Sequence, residues 1–226
     1  MTSLRKPLIT TSVAFCVIVL IALADVRSIN TVGYHAHSVD PGDLALLATC
    51  LDSLSGDTLN HILAEQLPVG SSVYKWNGIG YDPPSIKTAL HGWVPNHTLL
   101  RGQPIYVQNA FSAPGTVTFS FTGEVPWYNN GGGTTTVSVV GLEATAYPYP
   151  VDIEFGQTQA AIAAPINSTV MFWNADNQSF DSPIFKTPFF GWGPAETRLI
   201  PIGEAFFMTT PTPILVEEVV PYDLSI

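Results

Sequence analysis

Ser72-Val73-Tyr74-Lys75-Trp76-Asn77 returns about a hundred residues later as Thr169-Val170-Met171-Phe172-Trp173-Asn174. The echo widens through Lys87-Thr88, Gly92-Trp93, Pro95 and Gly102-Gln103-Pro104-Ile105-Tyr106-Val107. Its answers are Lys186-Thr187, Gly191-Trp192, Pro194 and Gly203-Glu204-Ala205-Phe206-Phe207-Met208. Both copies close on similar strings, Glu124-Val125-Pro126 and Val219-Val220-Pro221. This pattern reads as an internal duplication. What repeats is aromatic, glycine and proline, which build strands and turns, and not nucleophiles, bases or metal ligands, so it speaks to architecture more than to activity.

The remaining composition agrees with a β reading. Nineteen prolines and eighteen glycines among 226 residues call for many turns, and 46% apolar against 12% charged residues is enough to fill a core. Val73 to Trp76 and Val170 to Trp173 are expected as matching strands, each followed by an Asn-led turn and an aromatic, Tyr81 or Phe180. Ile105 to Gln108 and Thr116 to Phe121 are expected to pair about Ala113-Pro114-Gly115, and Ala205 to Thr209 with Ile214 to Val216 about Pro211-Thr212-Pro213. One soluble helix is expected, from Asp57 as N-cap to Gln66, with Leu59, Ile62, Leu63 and Leu67 on one face before Pro68 and Gly70. It is read as an insertion in the first copy alone. The expected organisation is mainly β: two tandem antiparallel sandwich or open-barrel units at 28–126 and 134–226, joined by a glycine-rich linker at 127–133 and preceded by an N-terminal hydrophobic helix in 1–27.

Residues 1–27 carry Arg5-Lys6 and then an uncharged run from Leu8 to Ala24. Basic residues before such a run hold its start in the cytoplasm, so the rest is expected on the far side of the membrane, periplasmic or at the cell surface. Ala22-Leu23-Ala24 has the small-x-small form of a cleavage site, yet the run also approaches the length of a span, so signal peptide and membrane anchor both stay open. Cys16 lies in this run. Cys50, the other cysteine, has no partner for an intrachain disulfide and reads as a small buried hydrophobe.

The formal net charge of −10, with two of the eight Lys and Arg spent at Arg5 and Lys6, excludes a nucleic-acid-binding surface. His35 and His37 share one side of a strand, about 7 Å apart, with Asp40 in the next turn, and are the candidate metal ligands. Neither a resident metal nor a cofactor is expected from so incomplete a set. Trp76, Trp93, Trp127, Tyr128 and Trp192 are candidates for a ligand or partner surface. The competing reading of the repeated tryptophans is core packing. Asp152, Glu154, Glu196 and Glu204 are too scattered to suggest paired-carboxylate chemistry, and no nucleophile motif appears, so no enzyme activity is expected.

Val73-Tyr74-Lys75-Trp76-Asn77-Gly78, Trp93-Val94-Pro95, Gly102 to Asn109, Thr116 to Phe119 and Gly123-Glu124-Val125 together resemble uncharacterised exported, internally duplicated β-repeat proteins of Verrucomicrobia-like bacteria. The resemblance covers most of Thr31 to Val125 and is fainter in the second copy, where Phe172 replaces Lys75 and Glu204 replaces Gln103. It implies export and β structure and brings no catalytic residues. The expected function is a non-catalytic structural or accessory subunit outside the cytoplasm, in a membrane-associated or surface assembly. Its partners would be other subunits or itself, and the membrane through Leu8 to Ala24. The alternative is a carbohydrate-binding module using exposed aromatics.

Overall fold

The computed structural model describes residues 32–127 and 133–222. The run from Leu8 to Ala24, the N-terminal helix, Tyr128 and the middle of the linker lie outside them. Residues Thr31–Ile226 form one compact unit.

The described elements divide into a first half, 32–127, and a second half, 133–222. The first runs β1 (Val32–Val39), β2 (Leu44–Ala48), α1 (Leu59–Ile62), β3 (Ser72–Lys75), β4 (Ser85–Thr88), β5 (Gly92–Val94), β6 (Pro104–Gln108) and β7 (Val117–Glu124). The second runs β8 (Thr134–Ala146), β9 (Ile153–Glu154), α2 (Gln159–Ala163), β10 (Thr169–Asn174), β11 (Ser179–Phe180), β12 (Ile184–Phe185), β13 (Leu199–Ile200) and β14 (Ala205–Val219). Strand order is β2-β6-β3-β4-β5 with a separate β1-β7 pair, then β11-β10-β14-β8 with β12 on β10 and a separate β13-β9 pair. All named pairings are antiparallel, and each sheet takes its strands from one half.

The registers of β3 on β6 and of β10 on β14 can be set side by side. Val73 faces Val107 and Tyr74 faces Tyr106, while Val170 faces Met208 and Met171 faces Phe207. The two short ladders of the first half, β1 with β7 and β2 with β6, correspond to one continuous ribbon of β8 and β14 interrupted only by a bulge between Thr210 and Ile214. The hairpin expected about Ala113-Pro114-Gly115 is therefore not formed. Residues 109–116 carry the chain from one ladder to the other, with Asn109 Nδ2 donating to Val39 O at 3.1 Å and Gly115 O at 3.3 Å. In the second half the matching strands run on as the single strand β14.

The helix expectation also needs correction. In the first half the helix covers only Leu59–Ile62, after Thr58 rather than Asp57, and it stops where Ala64 takes φ +37°. It is not peculiar to that half, because α2 begins after Thr158, whose Oγ1 accepts from Ala161 N at 3.1 Å. Alanine supplies the helix propensity there without a leucine stripe to reveal it.

Alternating burial builds a core in each half. Gly33, His35, His37 and Val39 point inward along β1, and Phe119 and Phe121 answer from β7. Val39, Phe119 and Phe121 fill the first core with Leu47, Leu59, Ile62, Leu63, Val73, Trp93, Ile105 and Val107. Phe155, Ala160, Ala161, Val170, Phe172, Trp192, Phe206 and Met208 fill the second. The packing is β-sandwich-like, two layers burying one apolar face each.

Candidate functional site

A third cluster joins the halves. Leu46, Ala48 and Tyr106 from β2 and β6 meet Ala144, Ala146, Ala205 and Phe207 from β8 and β14, with Tyr74, Trp76, Met171 and Trp173 packed around them. The contacts come in matched pairs. Trp76 packs edge-on against Phe207 at 5.2 Å, and its counterpart Trp173 packs edge-on against Tyr106, the counterpart of Phe207, at 5.1 Å. Trp76 meets Tyr81 at 5.1 Å as Trp173 meets Phe180 at 5.2 Å. Tyr81 meets Tyr106 at 5.8 Å as Phe180 meets Phe207 at 5.4 Å. These ring contacts make a seam between strands of the first half and strands of the second.

Polar groups pin this seam. Ala48 N donates to Gly203 O at 2.8 Å, and Trp173 Nε1 donates to Leu44 O at 3.2 Å. Gln178 closes on Leu44 from both sides, its Oε1 accepting from Leu44 N at 2.7 Å and its Nε2 donating to Leu44 O at 3.2 Å. Arg101 reaches across to Thr135 Oγ1 at 2.8 Å while pairing with Asp52 at 2.7 Å.

Clefts open on two flanks. One, about 340 Å³, is lined by His37, Trp173, Asp176, Arg198 and Glu204 among others. The second, about 280 Å³, is lined by Arg101, Gln103, Thr135, Glu143 and Pro148. In the first, Arg198 is already engaged, paired with Asp181 at 2.8 Å and lying 4.1 Å over the Phe172 ring. Burial raises the Glu204 carboxyl above its ordinary value, with Arg198 acting against the shift. The same cause raises Glu143 beside the second cleft.

His35 and His37 do share a side, as their spacing requires, but they bond to each other: His35 Nδ1 and His37 Nε2 are 2.9 Å apart. His35, 7% exposed, stacks on Phe121 at 5.0 Å. Asp40 does not join them, being hydrogen-bonded to Thr116 Oγ1. Among the described residues no group of three or more His, Cys, Asp and Glu side chains gathers to hold a metal.

Of the tryptophans expected as surface candidates, Trp93 and Trp192 are 1% and 2% exposed and belong to the two cores. A ring that must fill a core cannot also offer its face to a ligand. In both halves a lysine stands over this ring, Lys87 at 6.0 Å from Trp93 and Lys186 at 5.7 Å from Trp192. Each lysine donates to carbonyls at or just beyond the end of its short helix, Lys87 to Ala64 O and Lys186 to Ala161 O and Ala164 O at 2.8 Å each. Trp76 and Trp127 are half-buried, and Trp76 is a seam residue. Cys50 is fully buried, and burial pushes its thiol up to about 12.

Sequence reading missed Arg101 and Arg198, whose partners lie far away along the chain. It also missed an outward feature that recurs. The turns Thr88–Gly92 and Thr187–Gly191 are built alike, with Thr88 Oγ1 accepting from His91 N and Thr187 Oγ1 from Phe190 N, both at 3.1 Å. Gly92 and Gly191 close them at φ +64° and +53°, where other residues are strained. Their tips are apolar and solvent-facing: Leu90 is 87% exposed, Phe189 90% and Phe190 79%. Neither protein-family models, nor curated proteins, nor solved structures provide a match to this chain.

Proposed function

We propose that the chain is a non-catalytic structural or accessory subunit of a membrane-associated or surface protein assembly outside the cytoplasm, made of two tandem copies of one β unit. The observation that carries this reading is the pair of apolar turn tips, Leu90 in one half and Phe189-Phe190 in the other, held out by the same turn geometry. Adjacent phenylalanines left in water cost solubility, and covering them with a partner recovers that free energy. Matched registers and matched Lys-over-Trp pairs support the tandem units. Export rests on Arg5-Lys6 and the apolar run from Leu8 to Ala24, and on the resemblance to exported β-repeat proteins. The spent state of the cleft groups supports a non-catalytic role, since Arg198 is paired with Asp181 and the histidines bond to each other.

The test is co-purification of the full chain from its native membranes, wild type against Phe189→Ser/Phe190→Ser and Leu90→Ser. Loss of the accompanying protein from the variants, with their thermal transitions unchanged, supports the reading. Variants that retain the same companions as wild type would overturn it.

A carbohydrate-binding alternative is favoured by Tyr81 and Phe180, which stand at matching places on the seam rim, each packed on a tryptophan and partly open to solvent. Glycan-array binding abolished by Tyr81→Ala or Phe180→Ala would support it, and an array with no binding would remove it.

A further inference from the structure

We propose that the His35–His37 pair is an acid-operated latch across the seam, tying β1 to the Gly203 turn of the second half while the rings are neutral and releasing it when both are protonated. A single proton occupies the 2.9 Å between His35 Nδ1 and His37 Nε2, one ring donating and the other accepting. When both rings are cations every ring nitrogen carries hydrogen, so two donors would face each other at that distance. The surroundings leave no room to part: a Cβ added at Gly203 would stand 2.4 Å from His35 Cε1 and 2.9 Å from His37 Nε2. On the other side Phe121 stacks on His35 and Phe119 lies 6.2 Å from His37. The charged pair must therefore move away from the turn. That turn supplies Gly203 O, which accepts the backbone bond from Ala48 across the seam.

The carboxylates that share the His37 cleft, Asp176 and Glu204, sit there with Arg198 and do not offset the burial of the rings. The β7 neighbours are Phe119 and Phe121, Gly203 has no side chain, and His37 opens on a cleft whose charged groups are Asp176, Arg198 and Glu204. Burial lowers both imidazoles to about 4, and for His35 the charge of His37 adds to it. A folded-state value below the ordinary 6.5 means that the unfolded chain takes up protons first. The stability these histidines contribute is complete above pH 6.5 and is lost as pH falls from there to about 4. Asp52, Glu143, Glu204 and Glu218 are raised by burial and work in the opposite sense, favouring the folded state on acidification. Loosening in this window thus belongs to the histidines. Only this flank of the seam responds, since the matching glycine, Gly102, meets Pro148.

The test follows imidazole resonances and the exchange protection of the Ala48 amide, relative to that of Val107 in the first core, in the full chain between pH 7 and 4. His37→Gln keeps a neutral partner for His35 and removes one titration. The latch predicts histidines titrating near pH 4, a reversible fall in relative Ala48 protection of about tenfold, and retention of that protection to about one pH unit lower in His37→Gln. Histidines titrating near 6.5 without change at Ala48, or equal loss in wild type and variant, would overturn it. Should His37→Gln fail to fold, the wild-type imidazole and Ala48 titrations decide the matter alone.

Discussion

Lys186 Nζ donates to three carbonyl oxygens, those of Ala161, Ile162 and Ala164, at 2.8, 3.1 and 2.8 Å, while lying over the ring of Trp192. A cation there answers the unpaired acceptors of a helix C-terminus, and burial lowers its pKa because the charge is partly desolvated. Lys186→Met should remove on the order of 2 kcal/mol of stability, since hydrogen bonds to charged groups carry about that much, and lower the melting temperature by about 4–8 °C in a calorimetric scan. An unchanged transition would mean that water serves those carbonyls equally well. Gly203 makes the opposite kind of demand, for absence of a side chain: at φ +78° and pressed on both histidines it cannot accept a Cβ. Gly203→Ala should therefore destabilise by about 1–3 kcal/mol in chemical denaturation, and Gly115→Ala, where nothing lies within 4 Å, should be close to neutral. Repetition of Lys, Gly and Trp was legible in the sequence. Their tasks were not, because the lysine's acceptors lie 22 to 25 residues away.

At the scale of elements, strands were legible wherever branched and aromatic residues alternate, as at Val73 to Trp76 and Val170 to Trp173. Partners were harder to read. β7 lies next to β6 in sequence yet pairs with β1, with Val39 opposite Val117 and Val32 opposite Glu124, a choice made by sandwich packing and not by the turn between β6 and β7. Helix α2 was invisible for a related reason: Gln-Ala-Ala-Ile-Ala packs through small side chains and has no amphipathic stripe. The seam brings elements of both halves together and offers a sharper test. Trp76→Ala and Phe207→Ala should couple by about 1 kcal/mol in a double-mutant cycle, as should Tyr106→Ala with Trp173→Ala. Substitutions at Trp93 and Trp192, which sit in separate cores, should simply add. Additivity across the seam pairs would deny the seam its energetic content.

At the scale of the whole molecule, the halves share some side-chain arrangements and differ in others. Both place a tryptophan under a lysine and an aromatic ladder on the seam, but only the first half brings titrating histidines to its flank and only the second carries the Phe189-Phe190 tip. Composition foretold the β class. The seam clefts and turn tips depend on three-dimensional coincidence between residues up to about 170 positions apart, such as His35 and Gly203, and no local pattern announces them. Native mass spectrometry of the full chain released from its own membranes tests the central claim most directly. A complex heavier than a single chain is expected, falling to the single-chain mass when Phe189 and Phe190 are both replaced by serine; a solitary monomer in the unmodified protein would contradict the subunit role.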